Sequence, residues 1–424
     1  MKVKILPGVD KVNDGKMRLL PYGRAGKGFS RGSGTEGGSL KMRLYVWLCA
    51  VAAWFLLAAF DWCGQRQLFF REGNELLSDY WMPRTCVEVG YRVAEGETFP
   101  TFAGVMQSGW IEGEMHVARH DRCYPATALV PMKLFPRTWG GARLWTIGVA
   151  LVFVGALCWI ARGWWPILLL GAMPLLFNLE RGNPIGVAAA CVGVFLAGYR
   201  SPRKGVRIVA AVALSLATCL KISPVALGVL YLREKDWRGI GWCVVLSSIL
   251  FAVPWFFVPE GFSALPVMVE NAKGNFMEYA RAAEFGLVDL WRAVRVALHQ
   301  DCMHLWPGCL VVARLSQVLG LAAIAYGAWK RRPLLAVVGM LWAAGNMHYY
   351  GALYLLPLFV MEMRAVKLKM PLGRLALWFV VLCPLQLVVL GHGVNAILCN
   401  LASVALALTE NWRKVSDTPR QFSI

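Results

Sequence analysis

Asp79 is the residue of this chain whose type and setting best suit acid–base chemistry. It lies in a long acidic segment and directly precedes two aromatic residues, Tyr80 and Trp81, which favour a membrane interface. A carboxylate held at that surface can take the proton of an alcohol, which is the task of a general base. A solvated loop aspartate fits the same spacing, and Asp61 is a rival for the same role. We predict Asp79 as the catalytic base.

Two cations have settings that suit a phosphate group. Arg181 lies in a tight turn, 180–184, where its planar guanidinium offers a fork to phosphate or carboxylate oxygens and a neighbouring glycine permits close approach. Lys221 lies midway along an apolar segment beside Pro224, where an unpaired ammonium is costly. An ion pair between Arg181 and Glu180 that closes a helical hairpin is the structural alternative for the turn. We predict that Arg181 and Lys221 bind a phosphate.

A histidine and four further polar residues complete the predicted site. His348 follows Asn346 at a predicted outer helix end, where it could hydrogen-bond a phosphate or a sugar hydroxyl, or pack among interfacial aromatics. We predict that His348 joins the phosphate-binding residues. The residues predicted to bind the acceptor or the sugar are Glu88, Glu180, Asn183 and Tyr349. The sequence has no HExxH motif, Walker loop or GxSxG motif, so we predict no metal and no cofactor.

The elements that must position these residues are membrane helices. The chain is 58% hydrophobic and 16% charged over 424 residues. Runs such as 144–161 and 241–258 have the length, roughly 18 residues, that crosses the apolar part of a bilayer as a helix. The composition therefore excludes a soluble globular protein and predicts an all-α polytopic membrane protein.

The net charge of +19 is explained by membrane topology rather than by nucleic-acid binding. The basic residues fall in short clusters between the predicted spans, at 200–207, 233–238, 330–332 and 364–374. The positive-inside rule assigns such clusters to cytoplasmic loops. We therefore expect no nucleic-acid partner, and the clusters serve to orient the chain.

With these clusters in the cytoplasm, the predicted topology has both termini inside and about 11–13 transmembrane helices. The predicted organisation is a disordered basic cytoplasmic tail (1–43), a transmembrane domain (44–409) with acidic outer loops 61–122 and 259–305, and a second cytoplasmic tail (410–424). The segment 206–229 has basic residues at both ends and a break at 221–224. This pattern predicts two short helices that meet at a cavity.

Five short motifs follow one another along the chain. They are Ser78-Asp79-Tyr80 with Ala94-Glu95-Gly96, Tyr124-Pro125-Ala126 with Val130-Pro131-Met132, Asn178-Leu179-Glu180-Arg181-Gly182-Asn183, Lys221-Ile222-Ser223-Pro224, and Asn346-Met347-His348-Tyr349. In their order and spacing the chain resembles glycosyltransferase family 87, which are integral-membrane mannosyltransferases of the GT-C type. Asn183 stands where the family pattern has Gln, and Ala126 stands where it has Pro.

The resemblance implies a GT-C type fold with a long first outer loop and a hexosyltransferase activity. The donor would be a polyprenyl-phosphate-linked sugar, often mannose, and the acceptor a lipid or glycan on the outer face of the membrane. Asp79 would deprotonate the acceptor hydroxyl for an inverting displacement, while Arg181 and Lys221 would stabilise the leaving phosphate. A bacterial inner (plasma) membrane is the expected location.

Two other functions fit part of the sequence. A transporter or flippase of a lipid-linked sugar also needs a polar cavity and a phosphate-binding lysine, but it predicts repeat symmetry, which the sequence lacks. A non-catalytic scaffold for an envelope-assembly complex predicts that the change Asp79→Asn leaves function intact. The long acidic outer loop favours the enzyme.

Overall fold

The structure is a computed structural model. In the part of the chain that it describes, three helices are long and apolar enough to cross a membrane. They are Gly140–Ala161, Trp237–Phe257 and Gly308–Lys330. Shorter apolar helices lie at Ile185–Gly198, Pro333–Ala344, Leu372–Leu382 and Ala396–Leu408. The chain is an all-α membrane protein, and this prediction from the composition is confirmed.

The structure describes residues 79–80, 83–84, 90–91, 98–100, 114–116, 123–136, 138–279, 285–297, 307–345, 347, 349–366, 370–382 and 392–410. Two short strands, β1 (Thr98–Pro100) and β2 (Glu114–His116), pair in antiparallel register. The α-helices are α1 (Ala126–Leu129), α2 (Trp139–Ala161), α3 (Met173–Arg181), α4 (Ile185–Gly198), α5 (Lys204–Leu220), α6 (Val229–Arg233), α7 (Trp237–Ala252), α8 (Leu265–Tyr279), α9 (Leu287–Ala297), α10 (Pro307–Lys330), α11 (Pro333–Ala344), α12 (Leu356–Ala365), α13 (Leu372–Leu382) and α14 (His392–Leu408). Short 3-10 helices lie at Val130–Leu134, Trp165–Gly171, Ser223–Gly228, Val253–Phe257, Gly261–Ala264 and Tyr349–Leu355.

The predicted break after residue 220 is confirmed. Helix α5 ends at Leu220, and Lys221 adopts extended backbone with φ −145° and ψ 128°. A 3-10 helix, Ser223–Gly228, follows and contains Pro224 in its first turn. Proline lacks a backbone N–H and disfavours helical backbone in the residue before it, so the helix cannot continue through this point. Lys221 is therefore presented at a helix end rather than along a helix side.

Hydropathy predicts a single span at 166–177, and prolines explain why the structure differs from it. The chain instead forms the 3-10 helix Trp165–Gly171 and then helix α3, with Pro166 and Pro174 in the respective first turns. Each proline suits a helix start but not a helix interior. Hydropathy also predicts a first span at 44–60. This span lies outside the described residues, as do the tail 1–43, residues 411–424 and most of the first outer loop. The number of spans therefore stays a prediction.

Helices α10 and α11 pack closely because glycines line their contact. A Cβ added to Gly320 would lie 2.4 Å from the backbone nitrogen of Ala343, and one added to Gly339 would lie 2.6 Å from the carbonyl oxygen of Gly320. Small residues at such positions let two membrane helices approach through their backbones. Helix α11 then ends at Gly345, with φ 72°.

Candidate active site

The carboxylate of Asp79 lies within a polar cluster whose members come from distant parts of the chain. Arg181 donates from Nε to Oδ2 at 2.6 Å and from Nη2 to Oδ1 at 3.4 Å. Asn183 donates from Nδ2 to Oδ2 at 2.8 Å. The side chains of Arg181 and Asp79 are only 21% and 14% exposed. Water therefore screens this charge pair less than it screens an ion pair on an open surface.

The turn between α3 and α4 holds Arg181 and Asn183 beside this carboxylate. Gly182 has φ 68°, a left-handed conformation that glycine adopts at helix ends without strain. The backbone N–H of Asn183 donates to the carbonyl oxygen of Asn178 at 3.3 Å, which closes the end of α3. Trp145 Nε1 of α2 donates to the carbonyl oxygen of Gly182 at 2.8 Å. The turn is thus attached to the longest nearby helix.

Asn183 is fully buried and uses both ends of its amide. Its Oδ1 accepts the backbone N–H of Ile185 at 2.9 Å, next to the start of α4. This contact requires the oxygen to face α4, so the amide nitrogen faces Asp79. Nδ2 also lies 3.2 Å from the hydroxyl oxygen of Tyr124. Asn183 therefore orients both the carboxylate and the phenol.

Lys221 completes the cluster from the break after α5. Its Nζ lies 4.1 Å from the ring centroid of Tyr124, within the range of a cation–π interaction. Within the described ranges of the chain, Nζ of Lys221 has no hydrogen-bond acceptor. An ammonium carries three donors, and oxygens of a bound anion would supply the acceptors. The geometry suits an anionic ligand over Tyr124.

The charges around Asp79 keep it ionised at neutral pH. Burial by itself raises the pKa of the carboxyl, because a buried charge loses its hydration. The charge of Arg181, hydrogen bonds from Arg181 and Asn183, and the charge of Lys221 act in the opposite direction and outweigh burial. The net result is a pKa below the usual value of 3.8. Asp79 is therefore a carboxylate at neutral pH, which is the form that a general base requires.

Aromatic residues anchor the first loop to the helices near this cluster. Tyr80 is fully buried, and its hydroxyl donates to the carbonyl oxygen of Pro136 at 3.2 Å. Tyr91 is also fully buried and donates to the carbonyl oxygen of Tyr124 at 2.7 Å. Its ring centroid lies 5.4 Å from that of Trp255. These contacts hold the chain in place directly after Asp79 and again at Tyr91.

Sequence reasoning found part of this cluster and missed one member. The predicted site residues that the structure brings together are Asp79, Arg181, Asn183 and Lys221. Glu88 and His348 lie outside the described residues, as do the side chains of Glu180 and Tyr349, and their roles stay predictions. Tyr124 was missed as a site residue. The signal was its place in the motif that Pro125 and Ala126 continue.

Asn178 is a second polar residue beside the cluster. It lies on α3 one turn before Arg181 and is fully buried, yet neither Oδ1 nor Nδ2 has a hydrogen-bond partner in the described structure. A buried amide without partners costs free energy, and such groups are uncommon in native structures. This supports the α3–α4 turn as part of the site.

The cluster combines a carboxylate with two cations. Among the described residues, no group of three or more His, Cys, Asp or Glu side chains could hold a metal ion. One carboxylate and two cations suit proton transfer together with stabilisation of a negative charge. The expectation that no metal takes part stays a prediction.

The comparisons with known proteins identify the family. The family model of glycosyltransferase family 87 matches residues 124–347, which is more than half of the chain. The match contains Tyr124, Arg181, Asn183 and Lys221, whereas Asp79 precedes it. Comparison with curated proteins and with solved structures gave no match. The chain belongs to glycosyltransferase family 87 and is a membrane glycosyltransferase.

Proposed function

We propose that the chain transfers a hexose, in the first instance mannose, from a polyprenyl-phosphate donor to a lipid or glycan acceptor on the outer face of a cell membrane. One observation carries this proposal. The carboxylate of Asp79 shares a cluster with Lys221, whose ammonium has no hydrogen-bond acceptor among the residues described. A base and an anion-binding cation are the two groups that transfer from a phosphate-linked sugar requires.

The proposed reaction is a single inverting displacement. Asp79 accepts the proton of the acceptor hydroxyl, and the oxygen forms a bond to the anomeric carbon of the donor sugar. The bond between that carbon and the phosphate oxygen breaks, and its electron pair leaves with the polyprenyl phosphate. Lys221 stabilises the negative charge that grows on the phosphate. Charge stabilisation of this kind is commonly the largest single contribution to catalysis.

Arg181 has two tasks in this mechanism. In the structure it donates twice to Asp79, and so it orients the base. A donor phosphate that draws the guanidinium toward itself weakens this ion pair and raises the pKa of Asp79. The carboxylate then becomes a stronger base when the donor is bound, which favours proton transfer at that moment.

The remaining predicted residues are assigned to the substrates. His348 assists in binding the phosphate, and the acceptor or sugar is bound by Glu88, Glu180, Asn183 and Tyr349. Asn183 also orients Asp79 through the bond of 2.8 Å. We place the protein in the plasma membrane as a multi-pass protein with both termini in the cytoplasm. The basic clusters support this orientation by the positive-inside rule.

The test is transfer from radiolabelled polyprenyl-phosphate mannose to a membrane lipid extract by the purified chain. We expect transfer by the wild type, and a loss of about 100-fold to 10,000-fold in Asp79→Asn because the base is removed. Asp236→Asn is the matched control. Asp236 caps α7 by accepting the N–H of Gly239 at 2.9 Å, and asparagine caps a helix equally well.

Each outcome separates the proposal from its rivals. Equal transfer by wild type and Asp79→Asn would assign the base elsewhere, to Asp61 or Glu88. Failure with mannose and with other polyprenyl-phosphate sugars, together with movement of the intact lipid across vesicles, would establish the flippase instead. Full activity is expected in a chelator, and strict dependence on a divalent metal would contradict the metal-free mechanism.

A further inference from the structure

A cavity of about 500 Å³ lies at the end of the bundle opposite to Asp79. Its lining includes Trp159, Arg162, Trp164, Ile167, Ala197 and Arg364. These residues come from the end of α2, the segment that follows it, the end of α4 and the end of α12. The cavity thus combines two guanidinium groups with two indole rings.

A second cavity of about 560 Å³ adjoins the first through a shared residue, Trp159. Its lining is mostly aliphatic and includes Ala156, Val194, Arg203, Val206 and Val209. It runs between α2, α4 and α5. Trp159 and Val209 are 40% and 50% exposed, so the groove opens to the outside of the bundle. In a membrane this face meets lipid.

The two cavities together suit a ligand that is anionic at one end and apolar along its length. None of the described residues that line either cavity is acidic. Nη1 of Arg364 donates to the carbonyl oxygen of Ile160 at 2.8 Å, which fixes the direction of this guanidinium. Arginine presents a planar fork to phosphate oxygens. Tryptophan is enriched where membrane headgroups meet hydrocarbon.

The cavities are separate from the sugar-transfer site. Helix α4 joins the two regions, because Ile185 at its start bonds to Asn183 and Ala197 near its end lines the first cavity. Twelve residues of α-helix span about 18 Å. A headgroup beside Arg162 therefore cannot reach Asp79, and the ligand is distinct from a sugar donor bound there.

We propose that these cavities bind one anionic phospholipid, with its phosphate between Arg162 and Arg364 and an acyl chain along the groove beside Trp159 and Val209. The phosphate accepts hydrogen bonds from two guanidinium groups that line one cavity. The acyl chain covers the exposed apolar wall of α2 and α5. The lipid ties together the ends of α2, α4 and α12.

The test titrates the purified full chain in detergent with phosphatidylglycerol, phosphatidylcholine or polyprenyl phosphate and counts bound lipid by native mass spectrometry. We expect phosphatidylglycerol to bind at least tenfold more tightly than phosphatidylcholine. The double variant Arg162→Gln, Arg364→Gln should weaken phosphatidylglycerol binding by about tenfold or more, since charge-assisted hydrogen bonds to phosphate are lost. Arg238→Gln removes an exposed charge from α7 outside both cavities and should leave binding unchanged.

Arg162→Gln alone keeps the test decisive where the double variant fails to fold, because Arg162 is exposed and Arg364 holds a carbonyl. We expect the single variant to weaken binding by several fold. Equal affinity for phosphatidylglycerol and phosphatidylcholine, or unchanged binding in Arg162→Gln, would overturn the proposal. Tighter arginine-dependent binding of polyprenyl phosphate would also overturn it and assign the cavity to that lipid. Full competition by inorganic phosphate at equal concentration would reduce the site to a phosphate site.

Discussion

Two arginine–carboxylate pairs lie near opposite ends of helix α2 and have similar burial, but their surroundings differ. Asp79 and Arg181 lie near Trp145, whereas Glu362 and Arg374 lie near the other end of α2, where Arg364 contacts Ile160. Fifteen residues of helix separate the two ends by about 22 Å. Side-chain exposure is 21% and 14% for the first pair and 14% and 12% for the second, so burial does not distinguish them.

The pair formed by Glu362 and Arg374 makes further hydrogen bonds to neighbouring residues. Glu362 accepts two hydrogen bonds from Arg374 and a third from Trp378 Nε1 at 3.1 Å. Arg374 also donates to the carbonyl oxygen of Leu406 at 3.1 Å and to Thr409 Oγ1 at 2.9 Å. These contacts join α12, α13 and α14. The pair serves as a clamp between helices.

The pair formed by Asp79 and Arg181 lies beside a second cation, Lys221. Lys221 contacts the ring of Tyr124, and its ammonium has no hydrogen-bond acceptor in the described part of the chain. Arg181 and Asp79 are 102 residues apart, whereas Glu362 and Arg374 are 12 apart. The comparison teaches that an ion pair alone does not mark a site. An ion pair next to a second cation that is partly exposed and has no hydrogen-bond acceptor among the described residues does.

The largest expected effect is a loss of stability, without a loss of activity, when the clamp formed by Glu362 and Arg374 is removed. Glu362→Ala leaves the charge of Arg374 buried without its carboxylate, and we expect the free energy of unfolding to fall by about 3–5 kcal/mol. Chemical unfolding of the purified protein in detergent measures the change. Sugar transfer per folded molecule should stay at the wild-type rate.

Glu362→Gln is the control for this experiment, because it keeps the volume and one acceptor oxygen and should cost less. A Glu362→Ala protein of wild-type stability, or one that is folded but inactive, would remove the distinction between clamp and site.

The next largest expected effect is a loss of activity, without a loss of stability, when Lys221 is replaced. Lys221→Ala should lower the rate of transfer by about 100-fold to 1,000-fold, because the growing charge on the phosphate loses its nearest cation. Thermal unfolding of the variant should match that of the wild type. Initial rates at saturating donor give the comparison.

Lys204→Ala is the matched control, because Lys204 is an exposed lysine at the other end of the same helix, α5. The two variants remove the same charge from one helix. Equal rates in both would show that Lys221 does not act on the donor.

A smaller effect sharpens the role of Tyr124 within the site. Tyr124→Phe removes the hydroxyl that faces Asn183 and keeps the ring that faces Lys221, so we expect a loss of about fivefold in rate. Tyr124→Leu removes the ring as well and should cost about a further tenfold. Initial rates of both variants, measured side by side, test this order. Equal rates in the two variants would show that the contact between Lys221 and the ring of Tyr124 does not contribute to the rate.

The smallest expected effect is a change in pH dependence. The pKa of Asp79 is lowered in the folded protein, so the ionised form contributes stability above the usual pKa, and this contribution is lost as the pH falls through the lowered value. The acid limb of kcat/KM that belongs to Asp79 should therefore lie below pH 3.8. In Arg181→Ala the effect of burial dominates, and the limb should move to higher pH.

Arg238→Ala serves as the control for net charge in this pH profile, because Arg238 is exposed on α7 and has no place in the cluster. An acid limb in Arg181→Ala that coincides with that of the wild type would show that the ion pair does not set the pKa of Asp79.

Part of the fold could be predicted because its causes are local in sequence. Apolar runs of membrane length predicted helices that the structure confirms over Gly140–Ala161 and Trp237–Phe257. The break at Lys221 followed from Pro224, which cannot continue a helix. The segment 166–177 was predicted as one span and is interrupted, because hydropathy averages over the prolines that divide it.

The site was predicted as a set of residue types but not as a set of contacts. Asp79, Arg181 and Lys221 were selected because charges at a membrane edge are costly. Arg181 was assigned to a phosphate, and the structure also pairs it with Asp79 at 2.6 Å. Tyr124 has no charge, so a selection based on the cost of placing a charge at a membrane edge could not find it.

The sequence by itself determined the membrane class, the break at Lys221, the five motifs and the family to which they belong. Hydropathy, proline positions and motif order are properties of neighbouring residues, and no packing is needed to read them. The tertiary structure alone decided that Asn183 lies between Asp79 and Tyr124, and that Lys221 faces the same ring. The two hydrogen bonds join residues 104 and 59 positions apart, and their distances depend on how helices pack, which no local pattern records.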